Sequence, residues 1–285
     1  MFRTPCDLAK YLEALTRNVL DLERNSKKLW KVRETSITDL IIANFMAHNF
    51  YPWVEVDGSN EATTNADFEV IFRIGGRDLT LLIQAKRSHI SQANSVSIPE
   101  LFHPKTSGSQ NLALINYAAK MKMIPLYSFY FSSAATGILP PSPLGQPNQG
   151  IMLNGATKVR SLGFKKPKSK KNILQANSIL LGSFPFHSIF CTAQSTRSLE
   201  AIARLSLNLP ETLRTIDTPK APEPIDTDEK DEIAEVDLEN LITPSISLDQ
   251  RRVLDSAGRD YREDPYASFQ TFRVLVDLDK LDGAK

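Results

Sequence analysis

Two short runs of strict alternation dominate the hydrophobic pattern. Between Ala66 and Ile74 the apolar residues include Phe68, Val70, Phe72 and Ile74, and between Leu79 and Lys86 they fall at Leu79, Leu81, Ile83 and Ala85. A period of two marks a strand with one face against a core. Gly75-Gly76-Arg77-Asp78 between the runs is turn chemistry, so residues 65–87 predict a β-hairpin.

Elsewhere the period becomes helical. Thr4 before Pro5, with Asp7 three residues after the cap, opens a helix carrying Leu8, Leu12, Leu15, Val19 and Leu22. Ser36-Ile37-Thr38-Asp39 reads as a capping box, with Ile37, Leu40, Ile41 and Phe45 behind it on a helix to about residue 49. Residues 53–65 read as a loop, with a short strand over Trp53 to Val56 as the alternative. Gln110 to Lys120 predicts a helix, and Ile124 to Phe131 a buried strand. A helix joining two strands of one sheet favours a parallel crossover beside the hairpin. Ile151 to Leu153 and Phe184 to Cys191 are further strand candidates, Ser195 to Leu207 is a helix, and Phe269 to Leu278 is a final strand. The fold class expected is α/β, a mixed central sheet flanked by helices.

Composition changes near Pro210. From Asp217 to Glu239 ten acids stand against Lys220 and Lys230, with Pro219, Pro222 and Pro224 among them, a linker composition. The expected organisation is therefore a domain over residues 1–210, an acidic linker over 211–240 and a C-terminal extension over 241–285. A net charge of +1 gives no global attraction to polyanions, so phosphate affinity needs a local patch. Residues 158–171 supply one: Lys158, Arg160, Lys165, Lys166, Lys168, Lys170 and Lys171, with no acid. It reads either as a backbone-phosphate contact surface or as a solvated lysine loop. Cys6 and Cys191, far apart in sequence, are expected as two isolated thiols in a reducing compartment. No signal-like start or long apolar run is visible, which predicts a cytoplasmic protein without a membrane partner.

The chemistry concentrates in the hairpin. With Gly76-Arg77 at the centre of the turn, Asp67 lies opposite Lys86 and Glu69 opposite Gln84, all on one face. Ile71 and Leu82 continue that face, so its polar end is local. Two carboxylates, an amide and an ammonium can hold a hard divalent cation and steer a water. The alternative is a cross-strand salt bridge plus a neutral pair on an exposed face. Against it, Gln84 and Lys86 interrupt an apolar strand near its end, where burial favours apolar residues.

Asp67, sixteen intervening residues, then Gln84-Ala85-Lys86 and Arg87 resembles the PD-(D/E)xK, or restriction-endonuclease-like, superfamily in its Mrr-like form, where Gln replaces the second acid. Together with Glu34, Gln110 and the Pro125-to-Tyr130 strand, the order is similar to an uncharacterised bacterial subgroup with this core, over about residues 30–195. The resemblance implies a Mg²⁺- or Mn²⁺-dependent endonuclease acting on nucleic acid, DNA rather than RNA, in restriction or anti-phage defence. A homodimer or a defence-system partner protein is the implied company. Asp67, Gln84 and the Ala85 carbonyl would hold the metal, Glu34 and Glu69 would hold water on it, and Lys86 would orient the attacking water. Glu34 has a competing reading as a complement to the helix dipole. Gln110 reads as a substrate-side residue or a helix-start hydrogen-bonding group, and Arg87 as a nucleic-acid contact. A nuclease-fold module that binds nucleic acid or a partner without cutting is the alternative function.

Overall fold

A computed structural model describes residues 2–26, 31–48, 51–60, 66–91, 95–99, 101, 104–105, 108–139, 149–164, 174–180, 182–209, 238–248, 250–251 and 270–284. Helix α1 (Pro5–Asn25) begins as its sequence predicts, with the Thr4 hydroxyl accepting from the Asp7 amide at 3.2 Å. Its apolar stripe buries Leu8, Ala9, Leu12 and Leu20. Helix α2 (Glu34–Ala47) starts two residues ahead of the expected Ser36 cap, with Arg33 at the cap position and no side-chain cap. The serine box is therefore not the start signal, and Glu34 becomes the first helical residue. Ile37, Ile41, Ile42 and Phe45 are its buried apolar side chains, and Thr38 is buried with them.

The hairpin follows as expected, with strand β1 (Val54–Asn60) preceding strands β2 (Phe68–Ile74) and β3 (Arg77–Arg87). Its register differs. Gly75 and Gly76 have φ of +56° and +69°, the backbone of a two-residue primed turn that side chains with a Cβ resist. Ile74 consequently pairs with Arg77, Glu69 with Leu82 and Phe68 with Ile83. Asp67, whose amide donates to the Ile83 carbonyl at 2.9 Å, comes level with Gln84 rather than Lys86. Glu69 is not opposite Gln84. Because the slip is two residues, every side chain keeps its face.

Beyond the hairpin come α3 (Gln110–Lys120), β4 (Ile124–Tyr130), β5 (Ile151–Gly155), α4 (Ala156–Phe164) and α5 (Ala176–Leu180). Phe184 to Cys191 is not a strand. Only Phe184–Pro185 forms one, β6, and α6 (Phe186–Thr196) begins at once, burying Phe186, Ile189, Phe190 and Ala193. That spacing is helical, and aromatic content concealed it. Helix α7 (Leu199–Ser206) is capped by the Ser198 hydroxyl. Strands β7 (Ile242–Pro244) and β8 (Gln270–Asp277) follow.

The main sheet runs β1-β8-β2-β3-β4-β5-β6, with β7 against the start of β3. It is mixed: β8 with β2 and β3 with β4 are parallel, and the remaining pairs antiparallel. The crossover expected through α3 is present. Helices α1, α2, α6 and α7 cover one face over Phe68, Val70, Phe72, Leu81 and Ile83. Helices α3, α4 and α5 cover the other over Leu82, Tyr127, Phe129 and Met152. The protein is thus an α/β fold with both sheet faces covered, which is why the strands read as nearly continuous apolar runs.

Two expectations need correction here. The segment read as a C-terminal extension instead supplies β8, which lies inside the sheet between β1 and β2. Arg273 on β8 and Glu69 on β2 form a fully buried ion pair at 2.9 Å, a long-range contact that β propensity cannot reveal. Cys6 and Cys191 are not isolated thiols: they form a disulfide joining α1 to α6, with Cα atoms 4.6 Å apart. Side-by-side packing of those helices cancels a sequence separation of 185 residues. The acidic linker lies almost wholly outside the described residues.

Asp78 ties β7 and the segment after it to the hairpin. It accepts from Arg73 at 2.8 and 2.9 Å, Ser245 at 2.8 Å and Arg251 at 3.0 Å. Burial alone would raise its carboxyl, but the bonds from Arg73, Ser245 and Arg251 outweigh burial and hold it below the ordinary value. A depressed folded value makes its contribution complete above the unfolded value of about 4 and lost as acid takes the pH through the folded one. Asp78→Ala should cost about 3–5 kcal/mol, because Arg73 and Arg251 lose their buried anion. Urea unfolding at pH 7 and pH 3 checks both points: the gap between wild type and variant should narrow at the lower pH.

Candidate active site

Five of the residues singled out by sequence converge where β3 leaves the sheet. Asp67 enters from the approach to β2, and its Oδ2 accepts from the Ala85 amide at 2.6 Å and from the Gln84 side-chain amide. Gln84, nearly fully buried, accepts at Oε1 from Gln110 Nε2 at 2.9 Å. Gln110 is the first residue of α3, so the crossover helix delivers it. Lys86, 8% exposed, points its ammonium to Glu34 Oε1 at 3.5 Å. The other Glu34 oxygen accepts from the Arg87 amide at 2.8 Å. The helix start that the sequence misplaced is what brings Glu34 here.

The electrostatics follow from this crowding. Two carboxylates and one ammonium sit at a strand end, flanked by two buried phenols. Tyr127 pairs with Gln84 across the β3–β4 register. Burial is the main cause raising its phenol, and the charges of Asp67 and Glu34 push it further up. Tyr130 is raised by burial first and by the same two carboxylates. Its hydroxyl meets Thr38 at 3.0 Å, and it stays protonated at neutral pH.

Other candidates are placed elsewhere. Glu69 is sealed against Arg273 in the sheet interior and does not reach the cluster by register. Arg87 turns away from the cluster: it pairs with Glu23 of α1 at 2.6 Å and donates to the Val32 carbonyl. It ties α1 to the segment before α2. Arg160 is buried on α4 rather than presented to solvent. Lys158, half-buried on the same helix, lies over Gly182. Lys165, Lys166, Lys168, Lys170 and Lys171 lie outside the described residues. Sequence reasoning missed Glu23, whose only signal is a charged residue in the last turns of a packing helix.

The donor set can be tested against a hard cation. Asp67, Glu34, the Gln84 amide and the Ala85 carbonyl offer oxygen, the ligand type that Mg²⁺ and Mn²⁺ take. Gln84 here turns its nitrogen to Asp67 and its oxygen to Gln110. A half-turn of both amides exchanges these roles and keeps the Gln84–Gln110 bond. The residues therefore fit such an ion. Among the described residues no group of three or more His, Cys, Asp or Glu side chains is arranged to hold a metal; this site would rely on two carboxylates with amide and main-chain oxygens.

Fold and site together define an α/β protein with a polar acid–amide–ammonium cluster at the end of a central strand. The chain belongs to a family of unknown function (DUF6615), whose profile matches residues 6–265. No curated protein and no solved structure matches it. Among the described residues no helix is long and apolar enough to cross a membrane.

Proposed function

We propose that this protein is a Mg²⁺- or Mn²⁺-dependent endonuclease that hydrolyses nucleic-acid phosphodiester bonds, with DNA the first substrate to test and RNA the alternative. The observation that carries the reading is the convergence of Asp67, Gln84, Lys86 and Glu34 at the end of β3. Its restriction-endonuclease-like character rests on the resemblance of the Asp67, Gln84-Ala85-Lys86 pattern.

Asp67 and Gln84, with the Ala85 carbonyl, would hold the cation. When bound, that ion supplies Lewis-acid assistance and lowers the pKa of water. Lys86 orients the attacking water and stabilises charge developing on the phosphoryl oxygens. Glu34 positions the Lys86 ammonium, while its second oxygen is pinned by the Arg87 amide. Gln110 holds the Gln84 amide in plane.

A second reading is a nuclease-fold module that binds without cutting. It is favoured by Gln84 standing where an acid would add charge, and by its nitrogen facing Asp67. Calorimetric titration with Mn²⁺, followed by incubation with supercoiled, linear and single-stranded DNA and with RNA, separates the two. The nuclease reading expects Mn²⁺ binding that Asp67→Asn weakens, and cleavage only with metal. No heat and no cleavage of any substrate leaves the binding module.

A further inference from the structure

The disulfide sits apart from that cluster and in unusual company. Cys191 lies one helical turn after His187 on α6, and residues four apart on a helix are surface neighbours. His187 is held by Glu13 of α1: its backbone amide donates to Oε1 at 2.9 Å and its Nδ1 meets Oε2 at 2.8 Å. With Nδ1 so engaged, Nε2 is the ring position left to exchange a proton with a neighbour. Burial is the main cause raising the Glu13 carboxyl, and its bonds from His187 offset that only in part. An open groove of about 630 Å³ is lined by Cys6, Cys191, His187, Lys10, Ser188 and Thr192 among others. Taken as whole residues, Cys6 is 9% exposed and counts as buried, whereas Cys191 is partly exposed.

We propose that the Cys6–Cys191 bridge is a thiol–disulfide exchange site, with Cys191 the sulfur that an incoming thiol attacks and His187 the group that handles the proton. A structural bridge needs neither a groove nor an oriented imidazole, and both are present. The reaction balances with two thiols as reductant. A thiolate attacks Cys191 Sγ, the Sγ–Sγ bond breaks, and Cys6 leaves as a thiolate that takes a proton. A second thiolate then attacks the reductant sulfur of that mixed disulfide, and Cys191 leaves as a thiolate that is protonated in turn. Two reductant thiols are oxidised to one disulfide, and the two protein sulfurs are reduced to thiols. Cleavage removes the covalent link between α1 and α6. The same α1 carries Glu23, the partner of Arg87 beside the strand-end cluster.

The test uses the oxidised full-length protein without denaturant, with reduced glutathione in one arm and a dithiol reductase protein in the other. Reaction is quenched by alkylation and read by intact mass and peptide mapping. The expected result is complete conversion to two alkylated cysteines in at least one arm, the arm identifying a small-thiol or a protein reductant. The transient glutathione adduct should map to Cys191, at least about tenfold over Cys6, following access to the sulfur. Wild-type mapping needs no folded variant. His187→Gln should slow native reduction near neutral pH while leaving the rate in denaturant unchanged, a difference that a merely structural histidine would not produce. A bridge reduced only in denaturant, an adduct shared equally by both cysteines, or a His187→Gln rate equal to wild type overturns the proposal. None of these readouts uses nucleic acid or metal, so failure here is separate from failure of the nuclease reading.

Discussion

On the nuclease proposal, Lys86→Met and Asp67→Asn should each reduce metal-dependent cleavage by at least about 10²–10³-fold, the loss typical when a preorganised charge-stabilising group is removed. The choice of substitutions matters. Asp67 accepts from the Ala85 amide and the Gln84 side chain, so alanine would strand two buried donors at about 1–3 kcal/mol each. Asparagine keeps an acceptor while deleting the charge that a cation needs. Methionine keeps the length of Lys86 and leaves Glu34 bonded to the Arg87 amide. Loss of cleavage with retained urea midpoints therefore reports chemistry, not unfolding. Robust cleavage by both purified variants would refute the assignment of this cluster as the catalytic centre.

Arg273→Ala should cost about 3–5 kcal/mol, because it removes the guanidinium that faces the fully buried Glu69 carboxylate. The paired replacement Glu69→Leu with Arg273→Met should recover most of that loss, since apolar side chains of similar volume commonly substitute for a buried ion pair at little cost. Denaturant titration of the two variants beside wild type measures the loss and its recovery; equal midpoints for Arg273→Ala and wild type would contradict the interior placement of β8. The same placement predicts that a chain ending before residue 270 fails to fold cooperatively. It would lack the strand bridging β1 and β2.

The hairpin shows what a sequence can and cannot carry. Alternation assigned each side chain to a face, and Asp67, Gln84 and Lys86 stand on the face expected. Register depends on which two residues make the turn. Gly75-Gly76 and Gly76-Arg77 are both reasonable in sequence, and the backbone uses the first. The mistake survives in the partners but not in the site, because two candidate turns one residue apart change the pairing by an even number. Glu69 illustrates the converse: its face was correct, yet its partner came from a strand two hundred residues away.

Local chemistry decided the start of α1, the existence of the hairpin, the α3 crossover and the chemical character of the strand end, because each depends on residues within a few positions of one another. Three-dimensional packing alone decided where α2 begins relative to Arg87, that Arg87 pairs with Glu23 of α1, that two distant cysteines join, and that the last strand lies inside the sheet. Those outcomes turn on which elements lie side by side. Contact energy across a core is set by shape and burial, and neither is written in the order of the residues that supply them.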